Sequence, residues 1–173
     1  MQITKTNFFW LNLVWFQAFW FIAITYTQQA IFVMLLSIMV HFLLSPTKRN
    51  DMVSVILITF IGGVADSILT YLGIFNFPEG KTIPLWLVLL WVHFAIALNH
   101  SMQWLTKLPI YLQVSFGAIF GTFSYYMGSQ LGAVTLNSNL ILSLFSICIT
   151  WAILLPLYLK ISTYQGWQVN EIQ

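Results

Sequence analysis

The chain has 173 residues, of which 60% are hydrophobic and 6% are charged, and its formal net charge is +2. Soluble domains carry about 25% charged residues, so this composition cannot cover a water-exposed surface and excludes a soluble protein. With so small a net charge, we also expect no strongly basic surface of the kind that binds nucleic acid. The composition therefore predicts an integral membrane protein, with residues 1–173 forming a single domain in a lipid bilayer.

Six stretches of the chain are predicted to form membrane-spanning helices. A crossing needs roughly 20 mostly apolar residues at about 1.5 Å each. The predicted spans are 8–25, 27–44, 52–74, 84–103, 109–131 and 139–159. A tight turn at Tyr26 separates the first two, and residues 48–51 are interpreted as a solvated turn. The predicted fold class is an all-α, polytopic membrane protein, a six-helix bundle with short loops.

Basic residues concentrate on one side of these six spans. The other side carries only Lys81, which Glu79 partly offsets. Cytoplasmic loops carry an excess of Lys and Arg, so we expect both chain termini to be cytoplasmic. The basic residues on the predicted cytoplasmic side are Lys5, Lys48, Arg49, Lys107 and Lys160.

Asp66 is the only acidic residue inside a predicted span, where an ionisable group costs about 2.5–3.5 kcal/mol. Gly62 and Gly73 share its helical face, so this face is expected to pack against other helices. Counting about 1.5 Å per residue places Asp66 about 21 Å deep, His93 about 15 Å and Gln17 about 14 Å. The Asp66 and His93 side chains lean toward each other. We therefore predict a direct or water-bridged contact between Asp66 and His93, which Gln17 could join.

Two interpretations of this predicted cluster stay open. The first is a buried polar latch that sets the register between helices. The second is a proton-handling or ligand-anchoring centre, because acidic residues within membranes are often functional.

His41 and His100 lie near the cytoplasmic ends of the second and fourth spans, where Asn99 adds to a secondary polar patch. Two such histidines could ligate a b-type haem or a metal ion. No cysteine or carboxylate neighbours them in this interpretation, and interfacial histidines commonly bind headgroups or backbone instead. We therefore expect no metal and no cofactor.

The fifth span carries a stripe of small residues, for which we expect close helix packing. A dimer seam and a narrow slot for an acyl chain are the alternatives. Three deep tryptophans are likewise expected to pack in the bundle, with an apolar cavity as the alternative. The glycines are Gly117, Gly121, Gly128 and Gly132, and the tryptophans are Trp15, Trp91 and Trp151.

No catalytic motif is recognisable in the chain. It has no glycine-flanked serine nucleophile, no phosphate-binding glycine loop and no HExxH zinc motif. The sequence therefore leaves open whether the protein is an enzyme.

Several motifs together match a known family. They are residues 62–67 running on to Gly73, Pro84-Leu85-Trp86 with Trp91 and Phe94, residues 121–128 with 131–133, and the segment from Asn12 to Gln17. Over nearly its whole length the chain resembles the bacterial inner-membrane family called domain of unknown function 2878. The resemblance implies a multi-pass inner-membrane protein without assigned catalytic residues. The family's gene neighbourhoods also imply lipid-modifying enzymes of the cyclopropane-fatty-acid-synthase type as partners, in envelope lipid metabolism or stress.

Three functions follow as hypotheses. The first is binding or helping to modify a membrane lipid, with Asp66, His93 and Gln17 as the polar anchor and the glycine stripe as part of an apolar slot. The second is a small proton- or ligand-coupled transporter or substrate-binding subunit, in which Asp66 couples to the proton or ligand. The third is a membrane scaffold or assembly factor without a catalytic site.

Overall fold

The structure is a computed structural model that describes residues 5–45, 47–80 and 82–164, so that Lys81 and the residues at both chain ends lie outside it. Helices account for most of the described chain, and the predicted all-α class is confirmed. In chain order they are α1 (Lys5–Tyr26), α2 (Ile31–Leu44), α3 (Lys48–Tyr71), α4 (Leu85–Asn99), α5 (Ile110–Phe116), α6 (Thr122–Gln130) and α7 (Leu140–Ser162).

The chain reverses direction between α1 and α2, close to the predicted turn at Tyr26. A short 3₁₀ turn, Thr27–Ala30, joins the two helices, and Thr27 adopts a φ of 43°. Asn12 near the start of α1 and His41 near the end of α2 line the same small cavity. The two helices therefore lie antiparallel.

Three helical stretches of the described chain are long and apolar enough to cross a membrane: Phe9–Leu44, Lys48–Tyr71 and Leu140–Ser162. Helix α4 has 15 residues and is shorter than the fourth predicted span. The fifth predicted span is helical without a break from Ile110 to Gln130, because a π-helical segment, Gly117–Gly121, joins α5 to α6. These three segments together are called the α5–α6 rod here. The long helices agree with a membrane protein, and the count of six spans stays a prediction.

Helix α4 is the central helix of the bundle. Ten of its 15 residues are buried, and it contacts α1, α2, α3 and α7. A helix that is apolar all round is expected to be surrounded by protein or lipid, and here protein surrounds it. Each residue of a helix is rotated by about 100° from the one before it, so Trp91 and His93, two positions apart, point to nearly opposite sides of α4. They therefore face different neighbours.

Helices α3 and α6 end in the same way. Gly73 and Gly132 adopt φ angles of 68° and 79°, and the backbone bonds around them form Schellman motifs. Each turn leads into a two-residue strand, and Phe75–Asn76 pairs antiparallel with Thr135–Leu136. Gly132, predicted to lie in the packing stripe, therefore sits beyond α6, and no described atom lies within 4 Å of a Cβ built on it. Its role is in the turn.

The two ends of the bundle differ in charge. The strand pair and Glu79 lie at one end. The other end, called the basic end here, holds the start of α1, the α2–α3 connection, the α4–α5 connection and the end of α7. Gly117 faces Leu155, and Gly121, which comes later in the chain, faces the earlier residue Trp151. The contacts therefore run in opposite directions along the two helices, and α5 and α7 are antiparallel. The basic end therefore carries Lys5, Lys48, Arg49, Lys107 and Lys160.

Candidate functional site: an apolar cavity and two buried carboxylates

A cavity of about 460 Å³ lies between α1, α4, the α5–α6 rod and α7. Ligand-binding cavities typically measure about 300–1,000 Å³. Its lining runs along α1 from Leu13 to Ile24 and along the α5–α6 rod from Phe116 to Gly128. At about 1.5 Å per helical residue, the cavity is about 17 Å long. Its shape is therefore that of an elongated slot.

The cavity wall is almost entirely apolar and rich in aromatic rings. Its few polar side chains include Gln17, Ser124 and Tyr125. The Trp20 indole Nε1 donates a 2.8 Å hydrogen bond to Ser124 Oγ, which links α1 to α6. The tryptophans in the wall are Trp20, Trp86, Trp91, Trp104 and Trp151.

Trp15 does not line this cavity, unlike the other two deep tryptophans. It lies on another face of α1, where it borders a small space shared with Ser37 and His93. Trp91 and Trp151 stack with ring centroids 5.3 Å apart and form part of the cavity wall. The sequence predicts that all three lie deep in the bundle, but only these two face the slot.

The glycines in the π-helical segment let Trp151 on α7 lie close to the backbone of that segment. A Cβ on Gly121 would lie 2.1 Å from Trp151 Cγ, and one on Gly117 would lie 2.3 Å from the Trp151 carbonyl oxygen. Both glycines therefore act in close helix packing. Gly128 differs, because its Cβ would meet only Val134 at an ordinary 3.5 Å, and it lines the cavity.

Asp66 lies directly behind the cavity wall. Its side chain is 2% exposed. Its Oδ2 accepts a 2.7 Å hydrogen bond from Trp91 Nε1, and its Oδ1 accepts one from the Tyr125 hydroxyl. Gly62 lies one helical turn earlier, and a Cβ there would lie 2.4 Å from the Trp91 ring. The shared face of Gly62 and Asp66 thus forms a socket for Trp91.

His93 is not a hydrogen-bond partner of Asp66 among the described residues. Its Nε2 lies 2.6 Å from Ser37 Oγ on α2, and its Nδ1 donates to the Leu89 carbonyl at 2.8 Å. Trp91 takes the position that faces α3 instead. The predicted contact between Asp66 and His93 is therefore corrected, because His93 faces α2 while Asp66 meets Trp91, on a different face of α4. Gln17 lines the cavity, whereas His93 is not part of the cavity lining in the described part of the chain.

A second carboxylate, Asp51, forms the centre of the secondary polar patch. It is 0% exposed. Its Oδ2 lies 3.0 Å from both His41 Nε2 and His100 Nε2 and accepts a hydrogen bond from the Ser45 hydroxyl. Its Oδ1 accepts a 3.0 Å hydrogen bond from Asn99 Nδ2. The structure thus brings His41, His100 and Asn99 together around an acid that connects three helices.

This arrangement corrects two expectations. Residues 48–51 are not a solvated turn, because α3 begins at Lys48 and Asp51 lies in its first turn. The two histidines therefore do have a carboxylate neighbour. Their ring centroids are 5.4 Å apart, and Asp51 occupies the place that a haem between them would need.

Sequence reasoning missed Asp51, although a signal for it exists. Acidic residues are favoured in the first turn of a helix by the helix dipole. The start of α3 lies at the same end of the bundle as the ends of α2 and α4, where His41 and His100 sit. An acid and two histidines at one depth, on three helices, indicate a shared cluster.

The fold and these sites define a helical membrane protein with an elongated apolar cavity and two buried, hydrogen-bonded carboxylates. The chain belongs to the family described as Protein of unknown function (DUF2878), which matches residues 9–157. The family resemblance drawn from the motifs is therefore confirmed. No curated protein and no solved structure matches the chain.

Proposed function

We propose that the protein binds a membrane lipid and holds one acyl chain in the cavity between α1 and the α5–α6 rod. The observation that carries this proposal is the shape and lining of the cavity, about 460 Å³ of elongated, mostly apolar space. Wall atoms that face an unfilled space lose dispersion contacts, and this loss is the cost of leaving the cavity empty. A chain-shaped apolar occupant removes that cost.

The proposed binding is selective for the shape of the chain. An acyl chain that moves from the bilayer into the cavity leaves one apolar surrounding for another, so the hydrophobic effect contributes little. Dispersion contacts with the tryptophan and phenylalanine rings must supply the difference. These contacts depend on close packing, which favours a chain whose bends or branches fit the slot.

Asp66 has a positioning role in this proposal. It accepts hydrogen bonds from Trp91 and Tyr125, whose rings form the cavity wall. The carboxylate thus sets the orientation of both rings without lining the cavity itself. Gln17 on α1 and Ser124 on α6 supply polar atoms in the cavity lining, where a glycerol ester or another polar group of the lipid could bind.

The apolar wall favours this function over the transport of a polar or charged solute. A polar solute would leave its water for a surface that offers few hydrogen-bonding groups, and unpaired polar groups cost about 1–3 kcal/mol each. A lipid chain has no such requirement.

We further propose that six helical passes place the basic end on the cytoplasmic side of a bacterial inner membrane, with both termini cytoplasmic. The distribution of Lys and Arg supports this orientation. Accessibility of a tag at each end in intact and permeabilised cells tests it. Tags on opposite faces would contradict an even number of passes.

A photoreactive lipid tests the proposed lipid site. The protein is reconstituted with a phospholipid that carries a diazirine in its acyl chain, and the cross-linked residues are mapped by mass spectrometry. We expect cross-links at Phe116 and Gln17, which line the cavity, beside the general labelling of the lipid-facing surface. Gly128→Phe places a ring at the Gly128 end of the slot and is expected to remove cross-links at Ile24 and Ser124, which line the cavity near that end.

Two control variants accompany this experiment. Gly128→Ala adds only an ordinary contact with Val134 and is expected to keep the cavity cross-links. Ile153→Phe adds bulk on an exposed face of α7 and is expected to keep them too. Labelling of the outer surface with none in the cavity of the wild-type protein would refute the proposal.

A further inference from the structure

We propose that His41, Asp51 and His100 bind a divalent transition-metal ion of the zinc class at the basic end of the bundle. The three possible ligand atoms all lie within 4.8 Å of one another. Each histidine Nε2 is 3.0 Å from Asp51 Oδ2. Two imidazoles and one carboxylate are a ligand set used by zinc sites that keep a fourth position open.

The two histidine–carboxylate distances require little rearrangement for metal binding. Zinc binds histidine nitrogen and carboxylate oxygen at about 2.0–2.2 Å, so ligand atoms in a tetrahedral site lie about 3.3–3.5 Å apart. The Nε2–Oδ2 distances of 3.0 Å are a few tenths of an ångström shorter. Small side-chain rotations would therefore exchange these hydrogen bonds for bonds to the metal.

Asn99 provides an independent observation that points to a ligand. Its Nδ2 donates to Asp51 Oδ1, which orients the amide and leaves the Asn99 Oδ1 atom buried with no hydrogen-bond partner among the described residues. A buried acceptor without a donor costs about 1–3 kcal/mol. A water molecule bound to the metal at its fourth position would supply the missing donor.

Two of the three helix ends at this position, the C-termini of α2 and α4, favour a cation, whereas the N-terminus of α3 favours the carboxylate ligand. Helices α2 and α4 both end here, at Leu44 and Asn99, and helix C-termini carry partial negative charge. The Ser45 hydroxyl donates to the same carboxylate. Outer hydrogen bonds of this kind fix the orientation of a metal ligand. The ion would join three helix ends that are otherwise held by hydrogen bonds.

This site is separate from the proposed lipid cavity. His41, Asp51 and His100 are absent from the cavity lining in the described part of the chain. The failure of either proposal would therefore leave the other intact.

Metal titration of the full-length protein tests the inference. The protein is purified in detergent with a histidine-free affinity tag, treated with a chelator and titrated with Co²⁺ and with Zn²⁺. We expect one equivalent of tightly bound metal, visible absorption bands of four-coordinate Co²⁺, and a higher melting temperature with Zn²⁺. Asp51→Asn, His41→Gln and His100→Gln are each expected to weaken binding by about 100-fold or more.

Two further variants sharpen the result. Asn99→Leu removes only the outer amide and is expected to weaken metal binding by about 10–100-fold. His93→Gln changes a buried histidine on the same helix that bonds Ser37 instead of Asp51, and it is expected to bind metal like the wild type. If Asp51→Asn does not fold, the single histidine variants decide.

Two results would overturn the inference. If the wild type binds no metal beyond the background of the detergent, the cluster is a hydrogen-bonded contact between helix ends. If all variants bind as the wild type does, the titration has detected an adventitious ion only.

Discussion

Replacing Gly62 with alanine places a methyl group where the Trp91 ring lies. The added Cβ would sit 2.4–2.6 Å from three ring atoms of Trp91, whereas carbon atoms in favourable contact are about 3.5–4.0 Å apart. The ring must therefore move by about 1 Å or more. It cannot yield freely, because its other face stacks on Trp151 at 5.3 Å.

The expected loss of stability follows from three contributions. Overpacking of this kind costs about 1–3 kcal/mol. Displacing the ring also breaks the Trp91–Asp66 hydrogen bond, and a buried acceptor left without its donor costs about 1–3 kcal/mol. Alanine in a helix gains about 1 kcal/mol over glycine. We therefore expect Gly62→Ala to lower the free energy of unfolding by roughly 1–5 kcal/mol.

Gly63→Ala is the matched control for this variant. Its Cβ would meet only the end of the flexible Ile83 side chain, at 3.3 Å, so the gain in helix propensity is expected to outweigh the contact. Both variants are unfolded with SDS in mixed micelles and followed by tryptophan fluorescence. Equal stability of Gly62→Ala and Gly63→Ala would refute the view that the socket holds Trp91.

Two further predictions use the same unfolding assay. Trp91→Phe keeps most of the ring contacts but leaves Asp66 without this donor, so we expect a loss of about 1–3 kcal/mol. An unchanged midpoint would mean that this hydrogen bond does not contribute. Asn12→Ala removes the acceptor for both the Ser101 amide and hydroxyl, which leaves two buried donors unpaired and is expected to cost about 2–4 kcal/mol. Ser115→Ala removes an exposed hydroxyl that bonds within its own helix and is expected to change stability little. A similar loss in both variants would contradict the role of the contact between Asn12 and Ser101, which follows α4.

The candidate site was only partly predictable, and Asp66 illustrates the reason. Its depth and the small residue at Gly62 follow from counting along the chain. Its partner does not, because the choice between Trp91 and His93 depends on how α4 is rotated about its axis. Sequence periodicity assigns faces to a helix, but it does not state which neighbouring helix each face meets.

The Asp51 cluster and the cavity show the same division. Composition, apolar run length and glycine spacing determined the membrane class, the main helices and the family, because each depends on local chemistry or on covalent order. Only the tertiary structure showed that His41, Asp51 and His100 meet at one point. It also showed the cavity between α1 and the α5–α6 rod. These features arise from the relative rotation and spacing of helices far apart in the chain, which many side-chain contacts decide together and no single segment encodes.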